Sequence, residues 1–305
     1  MPLLALLFDL LLGDPPNRIH PTAWMGNLIH WLMRFRPRQN PLAEWMYGVF
    51  ILLVGLTLTA GGGLAFSFLT GHLPIWTGIL LNALALKLTL SLRGLDCAAG
   101  EVQSALQAEN LPEARRLLSW HLVSRDTSQL DESRVCAAAI ESVAENASDG
   151  IVAPLFFYAL GGLPLAFAYR FANTADSMLG YRDAEREWLG KVPARLDDLL
   201  NLIPARLTGL FIILAAFLTG ANGRQAWRIL WRDSRLTASP NAGIPMSAMA
   251  GALGVELEKV DHYCLGKGLC APATADLLRA RRLLYFAIAL AALSFTLWSG
   301  YVTQR

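Results

Sequence analysis

The chain has 305 residues, 54% of them hydrophobic and only 16% charged, with a mean hydropathy of +0.39. A soluble domain carries about 25% charged residues, so the deficit excludes an ordinary soluble domain and points to lipid as part of the solvent. The net charge of +2 is close to neutral, and no basic tail or acidic block marks a nucleic-acid partner or a disordered segment.

Residues 2–12 are apolar but fall short of the roughly 20 residues that a span needs. This stretch is either re-entrant or a span extended by its flanks. Asp9 lies inside it, and is either a functional acid at membrane depth or an acid that reaches the interface. Residues 45–69 read as a span, and residues 70–74 as a short turn without Lys or Arg. Residues 75–92 read as the next span, with Lys87 snorkelling or pairing within the bundle. The flanking segments 13–44 and 93–150 carry many arginines, among them Arg18, Arg34, Arg115 and Arg125, which places both segments in the cytoplasm. Segment 93–150 has the pattern of three polar helices, about 95–109, 112–122 and 131–147, punctuated by Asn110, Pro112 and Asp126-Thr127-Ser128.

Residues 151–172 are apolar but interrupted by Gly161-Gly162-Leu163-Pro164. A straight span would export the basic stretch 173–198, against the charge rule. A hairpin of two half-helices would return the chain, with irregular backbone tolerated only if buried or lining a cavity. The run 199–219, with Pro204 and Arg206 near its start, shares this ambiguity: both runs span, or neither does. Segment 220–281 is basic and reads as cytoplasmic, and residues 283–298 form a final span. The expected fold is all-α: a polytopic integral membrane protein with broken or re-entrant helices and cytoplasmic helical segments, one domain over residues 1–305. The N-terminus lacks the basic start and small-residue cleavage site of a signal peptide. Cys97, Cys136, Cys264 and Cys270 form no CxxC pair or zinc spacing, so they read as reduced thiols.

Glu141, Glu145 and Asp149 are spaced by four and share one face of a helix. Like charges at that spacing repel, so stability alone would not select them. An acidic face at a membrane edge suits Mg²⁺, which takes a few carboxylates and completes its shell with water or phosphate oxygens; the plain alternative is a solvated helix end. Asn146 lies within this stretch. A second cluster runs from Asn173 through Asp176 to Arg182. If 151–172 is a hairpin, it meets the first cluster on one side, in a low-dielectric cleft; otherwise it is a wet interfacial helix. Ser239, Asn241 and Gly243 precede a small-residue helix whose N-terminus suits an anion, or else form a loop and cap. Gly13-Asp14-Pro15-Pro16 and His20-Pro21 read as turn chemistry. Arg125 and Arg195, each beside aspartates, suit phosphate or carboxylate contacts as well as surface ion pairs. There is no GxxxxGK[ST] loop, strand-linked GxGxxG, GxSxG or HExxH, so any nucleotide use is non-Walker.

The segments GDPPNRIHPTAWMG, RDTSQL, ESVAENASDGIVAPLFFYALGGLPLAFAYRFANTADSMLGYRD, ARLDDLLNLIPARL and SPNAGIPMSAMAGALGV together resemble the CobD/CbiB family of adenosylcobinamide-phosphate synthases. The likeness runs in order through nearly the whole chain and is loose after Leu257, where Tyr263 and Gly266 lie. It implies a multi-pass protein of the bacterial inner membrane, with the lipid bilayer and a corrinoid as partners. Association with other cobalamin-pathway enzymes is a further expectation. The implied reaction is an ATP-dependent amide ligation of adenosylcobyric acid with (R)-1-aminopropan-2-ol O-phosphate, with Mg²⁺ on the ATP. On this resemblance Glu141, Glu145, Asp149 and Asp176 would hold the metal. Glu141, Glu145 and Asp176 are the catalytic candidates. Arg125, Arg182 and Arg195 would meet phosphates, and Asn146, Asn173, Ser239 and Asn241 would orient substrate. The competing readings are a non-enzymatic membrane sensor resembling AmpE and a transporter.

Overall fold

The computed structural model describes residues 1–37, 40–180 and 186–302. In chain order the elements are α1 (Pro2–Leu12), α2 (Pro21–Met33), α3 (Pro41–Gly71), α4 (Ile75–Lys87), α5 (Leu92–Gln107), α6 (Leu111–His121), α7 (Glu132–Ala147), a π turn (Ser148–Val152), α8 (Ala153–Leu179), α9 (Glu187–Leu200), α10 (Leu202–Leu218), α11 (Gly223–Asp233), α12 (Gly243–Leu253), β1 (Leu257–Lys259), β2 (Tyr263–Leu265) and α13 (Thr274–Val302). Among the described residues four helical stretches are long and apolar enough to cross a membrane, or five if α9 and α10 form one broken span. The all-α polytopic class is therefore observed, with one small hairpin as its only sheet among the described residues. The four cysteines are free.

The chain divides into two compact units. The first comprises Met1–Ser91, Ala153–Asn201 and Ala292–Arg305. Its backbone is α3, which starts at Pro41 behind the Asn40 cap. Gly48, Gly55 and Gly63 recur at seven and eight residues, so they share one face of α3. A Cβ on Gly48 would lie 2.3 Å from the Leu189 carbonyl oxygen. One on Gly55 would enter the Phe171 ring, and one on Gly63 would reach the Leu163–Pro164 backbone at 2.9 Å. Small residues thus let α8 and α9 close on α3, the usual device where lipid gives no hydrophobic drive between helices.

The glycine pair breaks α8 as the sequence suggests. Gly161 (φ −155°, ψ 25°) and Gly162 (φ 68°, ψ −157°) leave the helical region, and the latter conformation favours glycine. The Phe157 and Tyr169 rings stack across the break, with centroids 4.9 Å apart. Twelve residues of unbroken helix would separate them by about 18 Å. The two halves of α8 therefore bend sharply toward each other at the glycines.

Near the N-terminus, Lys87 is sealed at 3% exposure, with its ammonium 3.8 Å from Asp9 and 3.1 Å from Asp14. It also donates to the Gly13 carbonyl. Asp9 is fully buried, so it faces protein. Lys87 pairs within the bundle and does not snorkel. It also marks the end of α4, five residues before the expected limit at Leu92. The amides of Leu88, Thr89 and Leu90 turn back to carbonyls three residues earlier, a tightened final turn.

The second unit comprises Leu92–Val152 and Leu202–Ala291. Its three predicted polar helices are present as α5, α6 and α7 with close boundaries. The Asn110 side chain accepts from the Glu113 amide at 3.2 Å, and that of Asp131 from the Arg134 amide at 2.9 Å, capping α6 and α7. Residues 135–144 of α7 and the whole of α12 are buried on every side. Both are rich in Ala, α12 carries Gly as well, and Gly251 brings α12 against the Ala226 backbone. Arg281 of α13 forks onto Asp96 at 2.7 and 2.9 Å and donates to Gln103. Gly100 leaves room for that guanidinium.

Candidate functional site

Glu141 and Glu145 lie one helical turn apart on α7 and open onto a cavity of about 270 Å³ in the second unit. Arg125 joins them from the loop between α6 and α7, and Lys259 and Tyr263 from the β hairpin. The hairpin aims both side chains by register. Lys259 pairs with Tyr263 at the loop end and Leu257 with Leu265 at the base, so all four share one face. The two leucines are fully buried, which fixes that face inward. Asp261 adopts φ 62° in the three-residue loop, where Asp is among the residues that tolerate left-handed backbone. Asp233 ties the exit of the hairpin, accepting from the Gly266 amide at 2.7 Å while pairing with Arg232. Ser142 donates to the Leu122 carbonyl at 2.9 Å and so binds α7 to the loop that carries Arg125.

Glu141 is 5% exposed, and its Oε1 has no hydrogen-bond partner. Arg125 lies 3.6 Å from Oε2, an ion pair too long for a firm hydrogen bond. α7 belongs to the polar segment outside the apolar runs, where burial pushes the Glu141 carboxyl up to about 7; Arg125 and the Tyr263 hydroxyl pull it back. Burial and the two carboxylates raise Tyr263 as well, so its hydroxyl stays protonated. That hydroxyl also points to the Met246 sulfur at 4.0 Å.

This donor set suits an anionic ligand carrying a hard cation. Among the described residues no three His, Cys, Asp or Glu side chains gather to cage a metal. Magnesium bound through a nucleotide needs only one or two carboxylates, with phosphate oxygens and water completing its shell. Glu145 meets that need from the cavity wall, and the unpartnered buried Oε1 of Glu141 beside it is the observation that fits a charged ligand. The volume lies near the lower limit, about 300 Å³, of pockets that enclose a drug-sized ligand. It matches a phosphate group and its neighbours; a corrin ring would not fit inside.

The other predicted site residues divide between the units. In the second, Asn146 donates to the Ser142 carbonyl and hydroxyl at 2.9 and 3.2 Å. Asp149 falls in the π turn, where the helical register changes, and does not line the cavity. Ser239 accepts from the amides of Asn241 and Ala242, and Asn241 from Arg206 at 3.5 Å, the geometry of a capped loop. In the first unit, the Asn173 amide donates to Asp197 at 3.2 Å, Asn201 donates to the same carboxylate at 2.9 Å, and the Tyr169 hydroxyl donates to Asn201 at 2.9 Å. Asp176 packs against Gly180, whose amide donates to the Asp176 carbonyl at 2.7 Å. Arg195 lines a separate cavity of about 590 Å³ with Trp45, Lys191 and Asp198. Arg182 lies outside the described residues. Sequence reasoning did not single out Lys259 or Tyr263. Their signal was the short alternation 257–259 and 263–265 ahead of Gly266 and Gly268.

Together these features define a polytopic helical membrane protein whose polar helices hold a carboxylate-and-cation pocket. The profile of the family described as CobD/Cbib protein matches residues 2–284, and the chain belongs to that family. It is 46% identical over 279 residues to the "Cobalamin biosynthesis protein CobD" of Geobacter metallireducens, covering 91% of this chain and 86% of the relative. It is 41% identical over 267 residues to the "Probable cobalamin biosynthesis protein CobD" of Methanothermobacter thermautotrophicus, covering 87% and 85%. It is 38% identical over 305 residues to the "Cobalamin biosynthesis protein CbiB" of Salmonella typhi, covering 96% and 94%. No solved structure matches the chain.

Proposed function

We propose that this chain works in cobalamin biosynthesis at the bacterial inner membrane as an adenosylcobinamide-phosphate synthase. It would join adenosylcobyric acid to (R)-1-aminopropan-2-ol O-phosphate by an ATP-dependent amide ligation. The observation that carries the reading is the cavity that sets Arg125 and Lys259 beside Glu141 and Glu145, with one Glu141 oxygen unpartnered.

A carboxylate does not condense with an amine unaided, because its oxygen leaves poorly. Mg-ATP supplies the better leaving group. The residues of the chain supply the rest. Arg125 and Lys259 hold phosphate oxygens. Glu145 takes the hard cation. The incoming ammonium must lose a proton before its nitrogen can attack, and Glu141, held near neutrality, accepts it. The C–N bond then forms as the bond from the carboxyl carbon to its activated oxygen breaks. A positioned base of this kind contributes about 10²–10⁴-fold. Tyr263, kept protonated, donates a hydrogen bond that orients Glu141.

The direct test is an assay of membranes containing the chain, given adenosylcobyric acid, aminopropanol phosphate and Mg-ATP. Adenosylcobinamide phosphate forms only when all three are present. A membrane preparation that makes no product, and a knockout strain rescued equally by cobyric acid and cobinamide, would remove the ligase reading.

A further inference from the structure

We infer that α11 is a membrane-surface helix whose Trp227 and Trp231 seat among the headgroups of anionic lipids. The inference is independent of the ligase reading.

The helix is two-sided. Ala226, Ile229 and Asp233 are buried, while Trp227 and Trp231 are 50% and 66% exposed and touch edge to face at 5.8 Å. Two large aromatic rings side by side on an open helix face mark an interaction surface. Arg224 and Arg228 on the same helix, and Arg235 two residues past its end, are exposed, and among the described residues no carboxylate pairs with them. Arg232 alone is neutralised, by Asp233 at 2.6 Å.

What covers this face follows from the helix before it. α10 exposes Ile203, Leu210, Leu214 and Phe217 at helical spacing, an apolar stripe with the character of a lipid-facing surface. α10 ends at Leu218 and α11 begins at Gly223. The Phe217 ring lies over Gly223, where a Cβ would come within 2.6 Å. The tryptophans therefore follow directly on the end of the stripe. α11 is 11 residues long, about 16 Å, which is too short to cross a hydrocarbon core of about 30 Å. A short helix with tryptophan on its outer face and unpaired arginines beside it lies in the interface. There its rings find a half-apolar layer and its guanidinium groups find lipid phosphates.

The test uses the full chain in proteoliposomes. The signal is the fluorescence difference between the wild type and the double variant Trp227→Phe, Trp231→Phe, which isolates these two rings. Phosphatidylglycerol brominated high on its chains should quench the difference signal by about half or more, and chain-end bromines less, for rings roughly 5–10 Å below the surface. Iodide in the buffer should leave it unchanged. Quenching by iodide and not by brominated lipid would overturn the inference, and is the result if the face awaits a soluble partner. Brominated phosphatidylglycerol should also quench about twofold more than brominated phosphatidylcholine. The triple variant Arg224→Gln, Arg228→Gln, Arg235→Gln should lose that preference. A preference that survives the triple change would overturn the assignment to anionic lipid.

Discussion

Two polar clusters, one in each unit, are each centred on a buried carboxylate and differ in what they leave over. In the first unit, the Asp197 carboxylate receives Asn173 and Asn201, and Asn201 in turn receives Tyr169. Each partner meets another, so the cluster clasps the second half of α8 to α9. In the second unit, Glu141 is as deeply buried, yet Oε1 is unmatched and Arg125 stands off at 3.6 Å. A buried carboxylate left short of partners costs stability, so a fold that keeps one has a use for it. Satisfied polar groups hold a structure; unsatisfied ones beside a cavity await a ligand.

The contrast can be broken by substitution. Glu141→Gln keeps shape and removes the base, so ligation in membranes should fall by about 10²–10⁴-fold while the protein accumulates normally. A variant retaining half its rate would end the catalytic assignment. Asp197→Ala should act the other way: it strands the buried Asn201 amide at about 1–3 kcal/mol and frees the half-buried Asn173, lowering the Tm in detergent while the rate per folded molecule holds. A stable variant with lost activity would move the active cluster to the first unit. Lys259→Ala should raise the KM for aminopropanol phosphate about tenfold with little change in kcat, because it loses one charge-assisted phosphate contact.

The smallest effect is a displacement along the pH axis. Glu141 must be ionised to take a proton, so the rate should climb with pH and level off above about 7. Arg125→Gln removes a charge that favours the ionised form, so the midpoint should move to higher pH. Glu141→Gln should flatten the profile. Stability runs in the opposite sense. The folded unit holds the proton more tightly than the unfolded chain does, so its stability falls between the ordinary carboxylate range and about pH 7.

The features written in local chemistry were legible in advance. Asn110 and Asp126-Thr127-Ser128 announced the breaks before α6 and α7, and the Gly161-Gly162 pair announced the break in α8, because caps, turns and glycine breaks act over a few residues. The i, i+4 relation of Glu141 and Glu145 survived for the same reason, whereas Asp149 falls in the π turn and does not line the cavity. Lys259 and Tyr263 were hidden because strands of three residues carry little pattern. Their direction is set by two leucines packed under the hairpin, and packing of that kind is decided by the assembled unit. The Asn173–Asp197 contact joins residues on two helices, and their spacing along the chain does not show whether such groups will meet each other or a substrate.

The sealed lysine near the N-terminus bears on how the protein is made. Lys87 is neutralised by Asp9 and Asp14, both of which leave the ribosome before α4 does. Those acids must still be at hand when α4 enters the bilayer, or a bare ammonium faces hydrocarbon at about 2.5–3.5 kcal/mol. A change that drags α1 away from its berth would therefore injure the insertion of α4, far along the chain from the change itself.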